Sequence, residues 1–248
     1  MTKANVLQVA TGEVGYLEKA GPKDLDSKTG NAGRANYTKY ARDMDAIYGW
    51  YNGPKQGYDW CAVFVEWCFV QAYGASLARR VLPHSIYSAG CTQARAMYAS
   101  AGRFSTTPKV GDQVFFYNSK GLVGHTGLVI AVDRDAITTI EGNTSAVSGV
   151  VANGGCVREK RYPITYNRIA GYGHPDYDAL PKEKEEPKKM EERYNTLQEI
   201  ERDAPWGAPT VAKLLSHQSI LGDGTGLDLS RDMLRLLVIN DRAGCYGD

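Results

Sequence analysis

Tyr58-Asp59-Trp60-Cys61-Ala62-Val63-Phe64-Val65-Glu66-Trp67-Cys68-Phe69 sets a cysteine behind a polar turn and at the head of an apolar run of helix length. The first turn of a helix presents unpaired backbone N–H groups and the positive end of the macrodipole, and both favour thiolate over thiol. A cysteine so placed meets the starting condition for nucleophilic catalysis. Most free cysteines, however, simply pack as small hydrophobes, so a role for Cys61 depends on what stands elsewhere in the chain.

Downstream, Val123-Gly124-His125-Thr126-Gly127-Leu128-Val129-Ile130-Ala131-Val132 carries a histidine at the opening of a run rich in β-branched residues, which reads as a strand. A turn at Asp133-Arg134-Asp135 leads to a second strand, Ala136 to Ile140, ending in Glu141-Gly142-Asn143-Thr144. Strands joined by so short a turn pair antiparallel, which brings His125 beside Glu141 and Asn143. If the helix bearing Cys61 packs across this sheet, a Cys-His-Glu constellation results. His125 would take the thiol proton and return it to a leaving amine, and Glu141 or Asn143 would hold the imidazole in the required tautomer. The Cys61 backbone N–H is a natural half of an oxyanion hole.

Trp60-Cys61-Ala62-Val63-Phe64-Val65-Glu66-Trp67, Gly124-His125-Thr126-Gly127-Leu128-Val129 and Ile140-Glu141-Gly142-Asn143, in this order, resemble the CHAP domain, a branch of the papain-like NlpC/P60 peptidoglycan hydrolases. The resemblance runs over about the first 178 residues, through an opening helix at Val6 to Glu18, the Asp112-Gln113-Val114-Phe115-Phe116 strand and the closing Gly171-Tyr172-Gly173 segment. It implies an α+β, papain-like fold, an antiparallel sheet packed on N-terminal helices, to which the helical patterns of the tail add a small all-α C-terminal domain. It also implies a cysteine amidase or endopeptidase acting on cell-wall peptide: Cys61 as nucleophile, His125 as base, Glu141 as orienting acid and Asn143 as a fourth polar member. No cofactor is implied. Some relatives carry calcium upstream of the nucleophile, but Asp24-Leu25-Asp26-Ser27-Lys28-Thr29-Gly30 lacks the later acidic ligands and glycine placement of a calcium loop and reads as a solvated turn.

The 248 residues, 43% hydrophobic and 23% charged, suffice for one full core and a smaller second unit. A formal net charge of +1 and the lack of a basic patch give no electrostatic reason to expect nucleic acid or an anionic membrane as partner. The N-terminus lacks an apolar signal-peptide core, and nowhere do eighteen apolar residues run together. The expectation is therefore synthesis in a cytoplasm without membrane insertion, and action at the bacterial wall after release. That pattern resembles a phage or prophage endolysin freed through a holin. Five cysteines without clustered spacing do not suggest a disulfide framework or a zinc site.

Pro181-Lys182-Glu183-Lys184-Glu185-Glu186-Pro187-Lys188-Lys189-Met190-Glu191-Glu192-Arg193 has almost no apolar content and reads as a solvated linker. The domain boundaries are thus 1–178 catalytic, 179–193 linker and 194–248 helical tail. In the tail, helices are expected over Leu197 to Arg202, after Trp206-Gly207-Ala208-Pro209 with Val211, Leu214 and Leu215 on one face, and from a Ser230 cap with Met233, Leu234, Leu237 and Val238 at helical spacing. The tail resembles a single S-layer-homology-type unit of the kind that follows clostridial wall hydrolases. That resemblance implies binding to wall polymer or, given its small size, homo-oligomerisation.

Cys68, Cys91, Cys156 and Cys245 lack a neighbouring base motif and read as packing or incidental thiols, as His84, His174 and His217 read as structural. The aromatic residues Trp50, Tyr51, Tyr58 and Trp60, just ahead of the nucleophile, are candidates to line a groove for sugar and peptide. A papain-like protease acting on proteins and an inert wall-binding module are the alternatives; the wall-directed tail disfavours the first and the intact Cys61, His125, Glu141 and Asn143 the second.

Overall fold

The computed structural model describes the chain except for residues 50–52, 85–87, 151–152, 182–191, 223, 225 and 248. It divides into two compact units, Met1–Lys182 and Glu183–Asp248. Most of the charged 181–193 segment lies outside the described residues.

The first unit opens with helices α1 (Lys3–Gly12), α2 (Lys39–Ile47), α3 (Cys61–Tyr73), α4 (Ala75–Val81) and α5 (Cys91–Ser100). Strands β1 (Phe104–Ser105), β2 (Gln113–Tyr117), β3 (Val123–Val132), β4 (Ala136–Thr144), β5 (Cys156–Pro163) and β6 (Ile169–Gly173) follow, with a 3₁₀ turn at Tyr177–Ala179. The strands form one six-stranded sheet in the order β1-β6-β2-β3-β4-β5, antiparallel at every pairing. The architecture is α+β, as the sequence leads one to expect.

Helix α3 is the spine of this unit. Every residue from Cys61 to Val70 is buried, so the helix has no polar face, as expected of one enclosed on all sides. It stops at Gly74, whose φ of +79° suits glycine. Period-two alternation splits the sheet between two cores. Phe115, Leu128 and Ile140 join the helices, while Val114, Phe116, Val129 and Ile137 pack on the opposite face with Tyr162 and Tyr172. Gly142 makes the approach of α3 to β4 feasible, because a Cβ there would sit 2.6 Å from the Phe64 Cβ and 2.8 Å from the Trp60 ring.

One expectation for this unit needs correction. The opening helix ends at Gly12 and does not continue to Glu18. The chain turns at Gly15 (φ +92°) and runs extended, Leu17 bridging to Cys156. The Asp24–Gly30 turn is largely exposed, and buried Lys19 braces it by donating to the carbonyls of Ser27 (2.5 Å) and Lys28 (3.2 Å) while lying over the Tyr16 ring. Asp26 is held bidentately by Arg42 at 2.7 Å on each oxygen.

The second unit contains β7 (Arg193–Tyr194), α6 (Leu197–Asp203), α7 (Ala208–Ser216), β8 (Leu229–Ser230) and α8 (Arg231–Arg242). It is helical but not purely so, since β7 and β8 pair antiparallel. Thr196 and Glu199 form a capping box on α6, and the Ser230 hydroxyl accepts from the Met233 N–H to cap α8. The core consists of Tyr194, Ile200, Ala204, Val211, Leu229 and Leu234. Met233 lies outside it, 46% exposed, one helical step away from the inward Leu234 and Val238.

Candidate active site

Cys61 is the first residue of α3, and no side chain caps that helix, so its first-turn N–H groups face the thiol's surroundings without a protein acceptor from a cap. The sulfur is buried, with 4% exposure. His125 sits near the start of β3 opposite Phe116, and Glu141 lies near the end of β4. The Leu128↔Ile140 register of the β3–β4 pair brings them together: His125 Nε2 and a Glu141 carboxylate oxygen are 2.9 Å apart. The other Glu141 oxygen accepts from the Thr139 hydroxyl at 2.7 Å. Gly127 clears the way for this carboxylate, since a Cβ at 127 would lie 2.6 Å from the Glu141 Cγ and 2.9 Å from the Ile140 carbonyl. The glycines of the His-Thr-Gly and Glu-Gly-Asn motifs thus have steric reasons to be there.

With Nε2 committed to Glu141, Nδ1 is the ring nitrogen left to exchange a proton with Cys61. It forms no aligned hydrogen bond at rest, yet the thiol is close enough to interact strongly with the ring. Such loosely aligned pairs tighten when substrate binds. The Cys61 pKa is pushed down, first by a hydrogen bond from Cys91 and then by the bond and charge of His125, which together outweigh burial. Burial alone would drive the His125 pKa down, but the hydrogen bonds and charges of Cys61 and Glu141 raise it. Both directions favour a thiolate beside an imidazolium within the protein interior.

Glu141 bonds the imidazole, whereas the Asn143 amide bonds other groups. Asn143 adopts φ +55° at an irregularity in the β4–β5 register between Glu141 and Thr144. From there its amide donates to Asp59 at 3.2 Å and its carbonyl accepts from the Gly155 N–H at 3.3 Å. Asn143 thereby ties the end of β4 to Asp59, two residues ahead of Cys61.

The candidate groove aromatics separate. Trp60 is fully buried, its indole donating to Glu18 at 3.0 Å among the rings of Tyr16, Tyr40 and Phe64. It is a core residue and cannot line a groove. Tyr58 is 65% exposed beside the site. Trp50 and Tyr51 lie outside the described residues. A cleft of about 550 Å³ is lined by Glu18, Gly33, Arg34, Ser145, Gly154 and Gly155, of which Glu18 bonds Trp60 and Gly155 bonds Asn143.

Cys91 is the site residue that sequence reasoning missed. It opens α5 and its sulfur lies 3.6 Å from that of Cys61. Its bond to Cys61, and then burial, raise its pKa, the direction that suits a thiol donating to a Cys61 thiolate. The one signal it offered was a position like that of Cys61, at the head of an apparent helix. His84 proves to be a core residue, with Nε2 2.9 Å from the Gln113 amide oxygen. Its pKa is pushed down to about 4 by burial, so its 4.0 Å approach to Glu66 is not an ion pair near neutrality.

Ser105, His174 and Asp112 form a second chain of hydrogen bonds, 2.8 Å at each link. The Ser105 hydroxyl is also engaged by both the N–H and the C=O of Thr107. Locked in a local turn, it joins β1 to the starts and ends of its neighbours and is not set up as a nucleophile.

Residues 53–143 match the CHAP domain family, a span that includes Cys61, His125, Glu141 and Asn143. That domain implies a cysteine- or amidase-type hydrolase of peptidoglycan, or a related activity. Among solved structures the chain is similar to one described as "The crystal structure of Ly7917", at 14% identity, over 71% of this chain and 63% of that one, with a TM-score of 0.40. No curated protein matches the chain.

Proposed function

We propose that the protein is a cysteine-dependent peptidoglycan hydrolase that cuts an amide bond through an acyl-enzyme on Cys61. The bond is either the N-acetylmuramoyl-L-alanine amide or a peptide bond of the stem or cross-bridge. The observation that carries this reading is a thiol at the head of α3 beside an imidazole whose far nitrogen is held 2.9 Å from a buried carboxylate. In the first half-reaction the Cys61 thiolate attacks the amide carbonyl carbon. The oxyanion that forms is met by the Cys61 backbone N–H. As the C–N bond breaks, His125 gives its Nδ1 proton to the departing amine, leaving a thioester. In the second half, neutral His125 takes a proton from water, the hydroxide attacks the thioester, and the carboxylic acid leaves as the thiolate re-forms. Glu141 keeps the ring oriented and stabilises its charge throughout.

The cleft holding Arg34 is the substrate channel in this reading, because its walls are bonded to the residues on either side of the reacting groups and a guanidinium suits the free carboxylates of a stem peptide. The second unit serves retention on the wall or assembly into an oligomer. Its α8 leaves Met233, Leu236 and Ile239 exposed on the surface, in keeping with either use. Among the described residues no single helix is long and apolar enough to cross a membrane. We assign the protein the role of an endolysin made in the host cytoplasm and released through a holin. Clearing of Gram-positive wall suspensions by wild type and by Cys61→Ala tests the reaction: wild type clears and Cys61→Ala does not. Equal clearing by both removes the nucleophile. Mass analysis of the muropeptides, asking whether the new amine lies on L-alanine or on a cross-bridge residue, identifies the bond.

A further inference from the structure

Cys91 is a buried thiol in van der Waals contact with the nucleophile, and hydrolysis has no step for it. Both cysteines are free and nearly enclosed, at 4% and 8% exposure, with their sulfurs 3.6 Å apart. Each is the first residue of a helix without a side-chain cap, so two positive helix ends converge on one pair of sulfurs. The two helices are anchored independently. Helix α3 is packed on every side, and α5 is held by buried Ala94 and Tyr98 and by the Thr92 hydroxyl, which donates to the Val123 carbonyl at 2.9 Å. The sulfurs are therefore held together by the fold, and closing them to the ~2.0 Å of a disulfide needs only a small movement.

We propose that Cys91 is the resolving cysteine of Cys61, so that a hydroperoxide converts the pair to a reversible Cys61–Cys91 disulfide that switches the site off and spares the nucleophile from irreversible oxidation. The proposal rests on the same reactive thiolate as the hydrolase reading. In the first step the Cys61 thiolate attacks one peroxide oxygen. The O–O bond breaks, an S–O bond forms, sulfur is oxidised by two electrons, and hydroxide (or alkoxide) departs. In the second step the Cys91 sulfur attacks the sulfenic sulfur as its own proton passes to the leaving oxygen; the S–O bond breaks, the S–S bond forms, and water is released. The order of events is built into the pair. While Cys61 is a thiolate its charge keeps Cys91 protonated, and once Cys61 carries oxygen that charge is gone and the Cys91 thiol ionises more readily. A neighbour fixed in contact also outcompetes a second peroxide, because the reaction is intramolecular. Without Cys91 the sulfenic acid would go on to the sulfinic and sulfonic states, which thiol reductants do not reverse.

The test titrates the reduced full-length protein with hydrogen peroxide and follows intact mass, a peptide map and wall clearing before and after dithiothreitol. The expected result is a loss of two hydrogen atoms, a cross-linked peptide pair joining Cys61 to Cys91, and clearing that is lost on oxidation and restored by reduction. At the same dose Cys91→Ser should instead gain two or three oxygens on Cys61 and stay inactive after reduction. The proposal is overturned if wild type gains oxygens as Cys91→Ser does, or if the disulfide maps to other cysteines. The wild-type map decides the matter even if the variant fails to fold. Because mass and map are read without walls, failure of the disulfide is distinguishable from failure of the hydrolase reading, which Cys61→Ala tests separately.

Discussion

Replacing Glu141 with Gln removes a charge and almost nothing else. The amide has the shape of the carboxylate: its oxygen can accept from His125 Nε2–H, and its NH2 can donate to the Thr139 hydroxyl oxygen that now bonds the second carboxylate oxygen. A hydrogen bond to a charged group contributes about 1.5–3 kcal/mol and a neutral one about 0.5–1.5. The imidazolium that must pass its proton to the leaving amine therefore loses roughly 1–2 kcal/mol of stabilisation, equivalent to about five- to thirtyfold in kcat/KM. The pH profile should move as well. Glu141 is one of the groups that raise the His125 pKa, so its neutralisation brings the alkaline limb to lower pH. Cys61 is held down in part by the charge of His125, so a less protonated ring shifts the acid limb upward, and the bell narrows from both sides. Stability should fall, because the buried imidazole loses its charged partner while the amide keeps only the neutral hydrogen bonds. Release of soluble muropeptides across a pH series, with urea melts on the same samples, measures both effects. A bell unchanged in height and position would refute the assignment of Glu141 as the group that orients and charges His125.

Two further outcomes follow from local geometry. Gly127→Ala puts a Cβ 2.6 Å from the Glu141 Cγ, which should lower stability by about 1–3 kcal/mol through overpacking and cut the rate further by displacing the carboxylate from His125; urea midpoints and clearing rates read the two losses. His84, with a pKa pushed down to about 4 by burial, makes the unfolded chain bind the extra proton between about pH 6.5 and 4. Stability should therefore fall as pH drops through that window, by on the order of 3 kcal/mol. The loss should shrink in His84→Gln, as followed by urea midpoint against pH.

The parts of the site that follow from periodicity and pairing were legible in the sequence. A thiol at the start of an apolar helix and two β-branched strands across a short turn are local patterns, and strand pairing converts them into a distance between His125 and Glu141. The helix length of α3, the alternation of Val114, Phe115 and Phe116, and the Ser230 cap were legible for the same reason. What pattern cannot supply is the direction of a side chain where regular structure breaks. Trp60 precedes the helix within a polar turn and so looks like a surface ring, but buried Glu18 offers its indole an acceptor at 3.0 Å and draws it inward. Met233 is one position from Leu234, and near the cap no hydropathy pattern distinguishes the inward member of that pair.

Asn143 and Cys91 show the same limit at the reacting centre. In a regular strand, Asn143 would keep the cross-strand relation to His125 that the hairpin assigns it. The irregularity at the end of β4, with φ +55°, turns its amide to Asp59 and Gly155 instead. Asparagine tolerates that backbone region better than most residues, so its identity fits the bend as well as it fits a catalytic role, and one sequence cannot separate the two. Cys91 lies thirty residues beyond Cys61, and its proximity depends on how the N-termini of α3 and α5 are brought together as both helices pack on β3. Such a contact is a property of packing between elements. It leaves no trace in spacing, and for that reason a second sulfur at the nucleophile becomes visible only in three dimensions.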